Sequence, residues 1–194
     1  GSNSRLLATQ LAETLGWAHH SLETRRFPDT EGYTRIPEEI IDDVRSGPVV
    51  LVSNTFPDAG IIETLLMLEA INDVRSGKME NLREIGPQQL PDVGPGILLA
   101  IPYFGYSRQD KRFKPGEAIS ARAIGQLMAS RCDGIVVFDL HAPKVLEDLA
   151  VPVAFTSAMP ELAKHLQETV APDFILSPDK GAIERASEVA KTIN

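Results

Sequence analysis

Between Ile101 and Lys114 the chain reads Ile-Pro-Tyr-Phe-Gly-Tyr-Ser-Arg-Gln-Asp-Lys-Arg-Phe-Lys. Of its last seven residues four are basic (Arg108, Lys111, Arg112 and Lys114) and one, Asp110, is acidic, in a protein of formal net charge −8. Positive charge gathered against the global trend, just after an apolar run, is the chemistry of a polyanion site such as one for a nucleotide polyphosphate. Most short charge runs are solvated turns; the aromatic residues Tyr103, Phe104 and Tyr106 and the preceding strand pattern favour a site.

Two more clusters could join it. Asp139 and His141 follow another apolar run, and a carboxylate with an imidazole can hold Mg²⁺ against substrate phosphates. On spacing alone the plainer reading is that Asp139 caps a helix and His141 bonds to backbone. Asp179, in Ser177-Pro-Asp179, precedes Gly181 and a helix whose amides could face an anion; taken alone it is a helix cap. Three such features after the runs of one sheet are harder to dismiss together. Arg25 to Glu31 has the composition of a turn, yet Phe27 offers a stacking face while Asp29 and Glu31 can accept from an amino group such as that of adenine. No G-x-x-x-x-G-K-[ST], no helix-opening G-x-G-x-x-G, no C-x-x-C and no H-E-x-x-H occurs, so P-loop, dinucleotide-fingerprint and zinc sites have no support.

These residues need elements to hold them. Leu7, Leu11 and Leu15 at a spacing of four, followed by Gly16, predict an amphipathic helix with a glycine stop. Val49–Val52 predicts a strand covered on both faces. Asp58 is placed to cap a helix whose apolar side holds Ile61, Ile62, Leu65, Leu66 and Leu68. Residues 76–96 hold three Pro and four Gly, which predicts a surface loop or insertion. Strands follow at 97–101, 135–138, 151–155 and 174–176, with helices at 119–128, 159–168 and 182–193. Short apolar strands alternating with helices predict an α/β fold, a parallel sheet flanked by helices, with ligands beyond the carboxyl ends of the strands.

The 194 residues, 43% hydrophobic and 24% charged, suit a globular fold that buries a core. A pI near 5.0 argues against nucleic-acid or membrane affinity. One cysteine, Cys132, allows no intrachain disulfide and suits a reducing cytoplasm. No apolar run reaches the roughly 20 residues of a membrane span. The first residues, Gly1 to Arg5, lack the features of a signal peptide.

The run from Pro102 to Lys111, continued by Ala118-Ile-Ser-Ala121, resembles the signature of the ribose-phosphate pyrophosphokinases. Asp139-Leu-His-Ala142 is similar to that family's metal-proximal motif, Ser177-Pro-Asp-Lys-Gly181 to its S-P-D-x-G-G, and Arg26-Phe-Pro-Asp29 with Glu31 to its F-P-D-G-E. The resemblance implies a phosphoribosyltransferase-like fold, with an N-terminal ATP-binding and assembly domain over 1–149 and the beginning of a second, incomplete α/β domain over 150–194. It implies transfer of the β,γ-pyrophosphoryl group of ATP to the C1 hydroxyl of ribose 5-phosphate. By the same resemblance Arg108, Gln109, Lys111 and Arg112 bind ATP, Phe27, Asp29 and Glu31 hold adenine from a neighbouring subunit of at least a dimer, and His141 and Asp179 are associated with Mg²⁺. The sequence departs from the family at Thr30 and Ala182, where the motifs have glycine, and in the 77–96 stretch. The family's catalytic Lys/Arg segment and acidic ribose-phosphate loop are not in these residues, so the chain alone is expected to be inactive or nearly so. A non-catalytic regulatory relative, or a phosphoribosyltransferase of the same fold, is the other expectation.

Overall fold

The computed structural model describes residues 1–77 and 96–193; most of the predicted 77–96 insertion lies outside them. The chain divides into two compact units, Gly1–Phe155 and Thr156–Asn194. Three β-branched or leucine-rich runs form the parallel ladder: β3 (Val49–Val52), β4 (Ile97–Ile101) and β5 (Gly134–Phe138). Val49 pairs with Ile97 and Val52 with Ala100, while Leu98 pairs with Gly134 and Ile101 with Val137. With β6 (Val153–Thr156) the strand order is β3-β4-β5-β6. Helices α3 (Asp58–Ser76) and α4 (Ser120–Ala129) are the crossovers that parallel pairing demands. The core lies between them and the sheet, where Met67, Leu68, Ile71, Leu99, Ile101, Met128, Ile135 and Val137 are buried almost completely. Each contributes about 1.5–3 kcal/mol relative to leaving its side chain in water. Burial also pushes the Cys132 thiol up to about 11, so it packs as a small hydrophobe and carries no nucleophilic chemistry at neutral pH.

Several sequence expectations are corrected. Helix α1 (Arg5–Leu15) ends as predicted, with Gly16 at φ 66 donating to the carbonyls of Ala12 and Glu13. None of its residues is buried, however, because it covers a cavity rather than a packed face. Strand β3 is at the edge of the sheet, and Val49 and Val50 are only half-buried. Asp58 makes no side-chain cap on α3, since its carboxylate is taken up elsewhere, and Ile62 of the expected apolar side is exposed. Residues 174–176 form no strand: among the described residues none pairs with them in a ladder, and Phe174 and Leu176 are exposed. In that second unit α5 (Met159–Thr169) and α6 (Ile183–Ile193) form the helices expected there.

The segment expected to be a turn at 25–31 is the tip of a β-hairpin. Strands β1 (Glu23–Arg26) and β2 (Gly32–Arg35) pair antiparallel, Glu23 opposite Arg35 and Arg26 opposite Gly32. A short helix, α2 (Ile41–Ser46), leads from the hairpin to β3.

Candidate polyphosphate-binding site

The loop that follows β4 is fastened to the loop that follows β3. The Asn54 side-chain carbonyl accepts from the Tyr103 N–H at 2.9 Å, the Tyr103 carbonyl accepts from Thr55 N–H at 3.2 Å, and the Thr55 hydroxyl accepts from Gly105 N–H at 2.8 Å. Phe104 points into the core, 3% exposed, while Tyr106 sits at φ 64 and donates its hydroxyl to Asp58 at 2.9 Å. That bond holds the Tyr106 phenol above its ordinary range. Beyond these anchors the chain turns outward, and Arg108, Lys111, Arg112 and Lys114 are exposed. Among the described residues none of the four forms an ion pair. Lys111 lies 5.4 Å from the centre of the Phe113 ring. The bonds inside the loop go to Gln109 and Glu117. The Gln109 amide donates to the Lys111 carbonyl at 2.9 Å and to Glu117 at 3.4 Å, and Arg112 Nε donates to the Glu117 carbonyl at 2.9 Å. An anchored base carrying exposed cations is the arrangement that a polyanion site requires.

Sequence reasoning missed Glu117, Thr55 and Asn54. Only Glu117 carried a signal: Lys114-Pro-Gly-Glu117 is a Pro-Gly turn, with Gly116 at φ 86 and Glu117 N–H donating to the Lys114 carbonyl at 3.3 Å.

Phe27, Asp29 and Glu31 are brought together at the hairpin tip. Phe27 N–H donates to the Glu31 carbonyl at 2.9 Å, Glu31 N–H donates to Asp29 Oδ1 at 3.2 Å, and Phe27 meets Tyr33 edge to face at 5.7 Å. The Arg25 guanidinium lies 4.6 Å from the centre of the Phe27 ring. Among the described residues no hydrogen bond or ion pair joins the hairpin to the 102–117 loop. A cavity of about 650 Å³ opens beside the hairpin, lined by Arg25, Arg26, Glu31 and Tyr33 and by Ile62, Glu63 and Leu66 of α3. A second, about 510 Å³, lies between α1 and β3; it is mainly apolar and holds none of the sequence-predicted residues. Neither cavity is lined by any of the four loop cations.

Thr30, where the motif has glycine, sits at φ 77. A β-branched residue in the left-handed region costs roughly 1–2 kcal/mol. Thr30→Gly is therefore expected to raise the unfolding free energy by about 1 kcal/mol, after the larger chain entropy of glycine is offset. Urea unfolding with an unchanged m-value checks it, and a loss of stability would show that the threonine side chain has a role of its own. Ala182, the other departure, adopts no such backbone and donates its N–H to Asp179 Oδ1 at 3.0 Å.

Asp139 at φ 46 closes β5, and His141 is exposed in the loop beyond it. Asp139 forms no cap on the short turn at Pro143–Leu146. Asp179 belongs to the second unit, where its carboxylate caps the turn at Lys180–Ala182. Among the described residues no group of three or more His, Cys, Asp or Glu side chains could cage a metal ion. Neither His141 nor Asp179 belongs to such a group, so each suits only Mg²⁺ whose ligands come mostly from phosphate and water.

Fold and loop together give an α/β protein with a cluster of exposed cations on a loop at the carboxyl end of a strand. By sequence the chain is similar to the ribose-phosphate pyrophosphokinases over nearly its whole length. The family described as the N-terminal domain of ribose phosphate pyrophosphokinase matches residues 95–131. The ribose-phosphate pyrophosphokinase of Methanothermobacter thermautotrophicus is 38% identical over 97% of the chain, and that of Methanobrevibacter smithii 33% over 100%. The chain spans 59% of the length of each. The crystal structure of phosphoribosylpyrophosphate synthetase from Mycobacterium smegmatis superposes with a TM-score of 0.72 at 26% identity, covering 97% of this chain and 58% of that one. No helix among the described residues is long and apolar enough to cross a membrane.

Proposed function

We propose that these residues are the ATP-binding and assembly part of an enzyme that transfers the pyrophosphoryl group of ATP to ribose 5-phosphate, giving phosphoribosyl pyrophosphate and AMP. The observation that carries this reading is the anchored 102–117 loop with its four cations free of ion pairs among the described residues. Transfer of a phosphoryl group asks little covalent chemistry of a protein; alignment and neutralisation of developing charge do most of the work. Arg108 and Lys111 meet the phosphates directly. Arg112 spends Nε on Glu117 and presents its terminal nitrogens, and Gln109, with its amide donors turned inward, keeps its carbonyl for a ligand donor such as a ribose hydroxyl or a metal-bound water rather than for phosphate.

Mg²⁺, when bound with ATP, neutralises the polyphosphate; His141 and Asp179 are the residues that associate with it or its waters. The exposed hairpin tip serves another copy of the chain. Adenine stacks on the face of Phe27 away from Arg25, and Asp29 and Glu31 accept from its amino group. The working unit is then at least a dimer, and its home is the reducing cytoplasm. The second unit is the start of a second α/β domain, the division falling close to residue 150.

The test mixes the 194-residue chain with MgATP, ribose 5-phosphate and inorganic phosphate. Expected are MgATP binding by calorimetry and little AMP release, since the chain spans 59% of its curated relatives. Robust AMP release would overturn the expected inactivity. Absence of MgATP binding would sink the site itself and leave a phosphoribosyltransferase relative as the better reading.

A further inference from the structure

Glu117 is a carboxylate set among cations that would bind phosphate, where its charge lowers the local positive potential. Its contribution must therefore be of another kind, and its bonds show which. One oxygen, Oε2, accepts from Phe113 N–H at 2.7 Å, from Lys114 N–H at 3.0 Å and from the Gln109 amide at 3.4 Å. The backbone carbonyl of Glu117 accepts from Arg112 Nε at 2.9 Å. A single residue thus ties positions 109, 112, 113 and 114, on both sides of Lys111. The two amide donors are the main reason its carboxyl is held below the usual carboxylate range.

We infer that Glu117 is the positioning residue of the polyphosphate loop: it folds the 109–114 segment into a fixed arc and so sets where Lys111 and Arg112 present their charge, without touching the ligand. The inference rests on reading this loop as the ATP site. The Pro115-Gly116 turn supplies the geometry by returning the chain so that residue 117 lies against the amides of 113 and 114. The tie is charge-assisted hydrogen bonding, the stronger kind. Without it the arc is free to sample other shapes, and ordering it on binding weakens affinity.

The experiment compares the wild-type chain with Glu117→Ala, Glu117→Gln and Arg108→Ala. Amide hydrogen exchange at Phe113 and Lys114 is measured beside calorimetric titration with MgATP. Glu117→Ala is expected to lose protection at both amides and to bind MgATP about tenfold more weakly, with its thermal midpoint within about 2 °C of wild type. Glu117→Gln keeps an oxygen facing the same donors and is expected to stay within about threefold of wild type. Unchanged MgATP affinity in Glu117→Ala, with Arg108→Ala impaired, would overturn the positioning role alone. So would a Gln variant as weak as the Ala variant with both amides still protected, because the charge itself would then be the functional group. A wild-type chain that binds no MgATP would instead overturn the ATP reading on which the inference stands.

Discussion

Replacing Arg108 with alanine is expected to weaken MgATP binding by about 10- to 100-fold while leaving stability within about 0.5 kcal/mol of wild type. Stability should hold because Arg108 is exposed and contributes no hydrogen bond or ion pair among the described residues. Affinity should fall because that same lack of partners leaves the guanidinium fork to the ligand. A charge-assisted bond to phosphate contributes about 1.5–3 kcal/mol, and an arginine can make two in parallel. Lys111→Ala should cost less, since an ammonium on a flexible stem is a point charge without the fork. The wild-type affinity itself should fall as salt is raised, the site being open to solvent. Calorimetric titration of the variants at two ionic strengths makes the comparison. Wild-type affinity in Arg108→Ala would remove the loop from the site.

The sheet was legible because β3, β4 and β5 are short, nearly continuous apolar runs, the pattern of parallel strands buried on both faces. The charged loop was legible because its composition opposes that of the chain. What escaped reading was whatever depends on a partner distant in sequence. Glu23-Thr-Arg-Arg26 and Gly32-Tyr-Thr-Arg35 show no apolar alternation. They form a hairpin because Arg25 lies over Phe27 and Tyr33, Arg35 pairs with Glu23 at 2.8 Å, and β2 packs on α3. Phe174-Ile-Leu176 has the better strand composition and forms no strand, because β-propensity reports a fit to neighbouring strands rather than an intrinsic preference of the backbone. The periodicity of α1 was read correctly, but an apolar stripe marks a face without saying that anything covers it, and none of the helix's residues is buried. Glu117 escaped for a different reason, its partners lying only three to eight residues away: a lone acid beside basic residues looks like solvation until the Pro-Gly turn folds it back onto two backbone amides.

Gly105→Ala should do more damage than any change to the charged residues. A methyl group there would fall on the backbone carbonyl oxygen of Thr55, well inside contact distance, and 3.0 Å from its carbonyl carbon. Thr55 is 1% exposed, so the segment it belongs to cannot retreat into solvent. The alternative is for the 102–106 chain to lift away, which would break the bonds between Gly105 N–H and Thr55 Oγ1, Thr55 N–H and the Tyr103 carbonyl, and Tyr103 N–H and Asn54 Oδ1. Each buried group left without a partner costs about 1–3 kcal/mol, and overpacking without escape costs a similar amount. The expected loss is about 3 kcal/mol or more, read as a lower urea midpoint, together with faster amide exchange at residues 103–105. Thr55→Val separates steric from polar effects. It removes the hydroxyl acceptor of Gly105 and adds no bulk at the backbone, so it should cost about 1–3 kcal/mol. Gly116→Ala is the second control, because a side chain there meets no atom within 4 Å and only the positive φ is strained. It should cost about 1 kcal/mol. If Gly105→Ala proved no worse than Gly116→Ala, the close approach of the two loops would not be what seats the cations, and the site would have to be held from the side of Glu117.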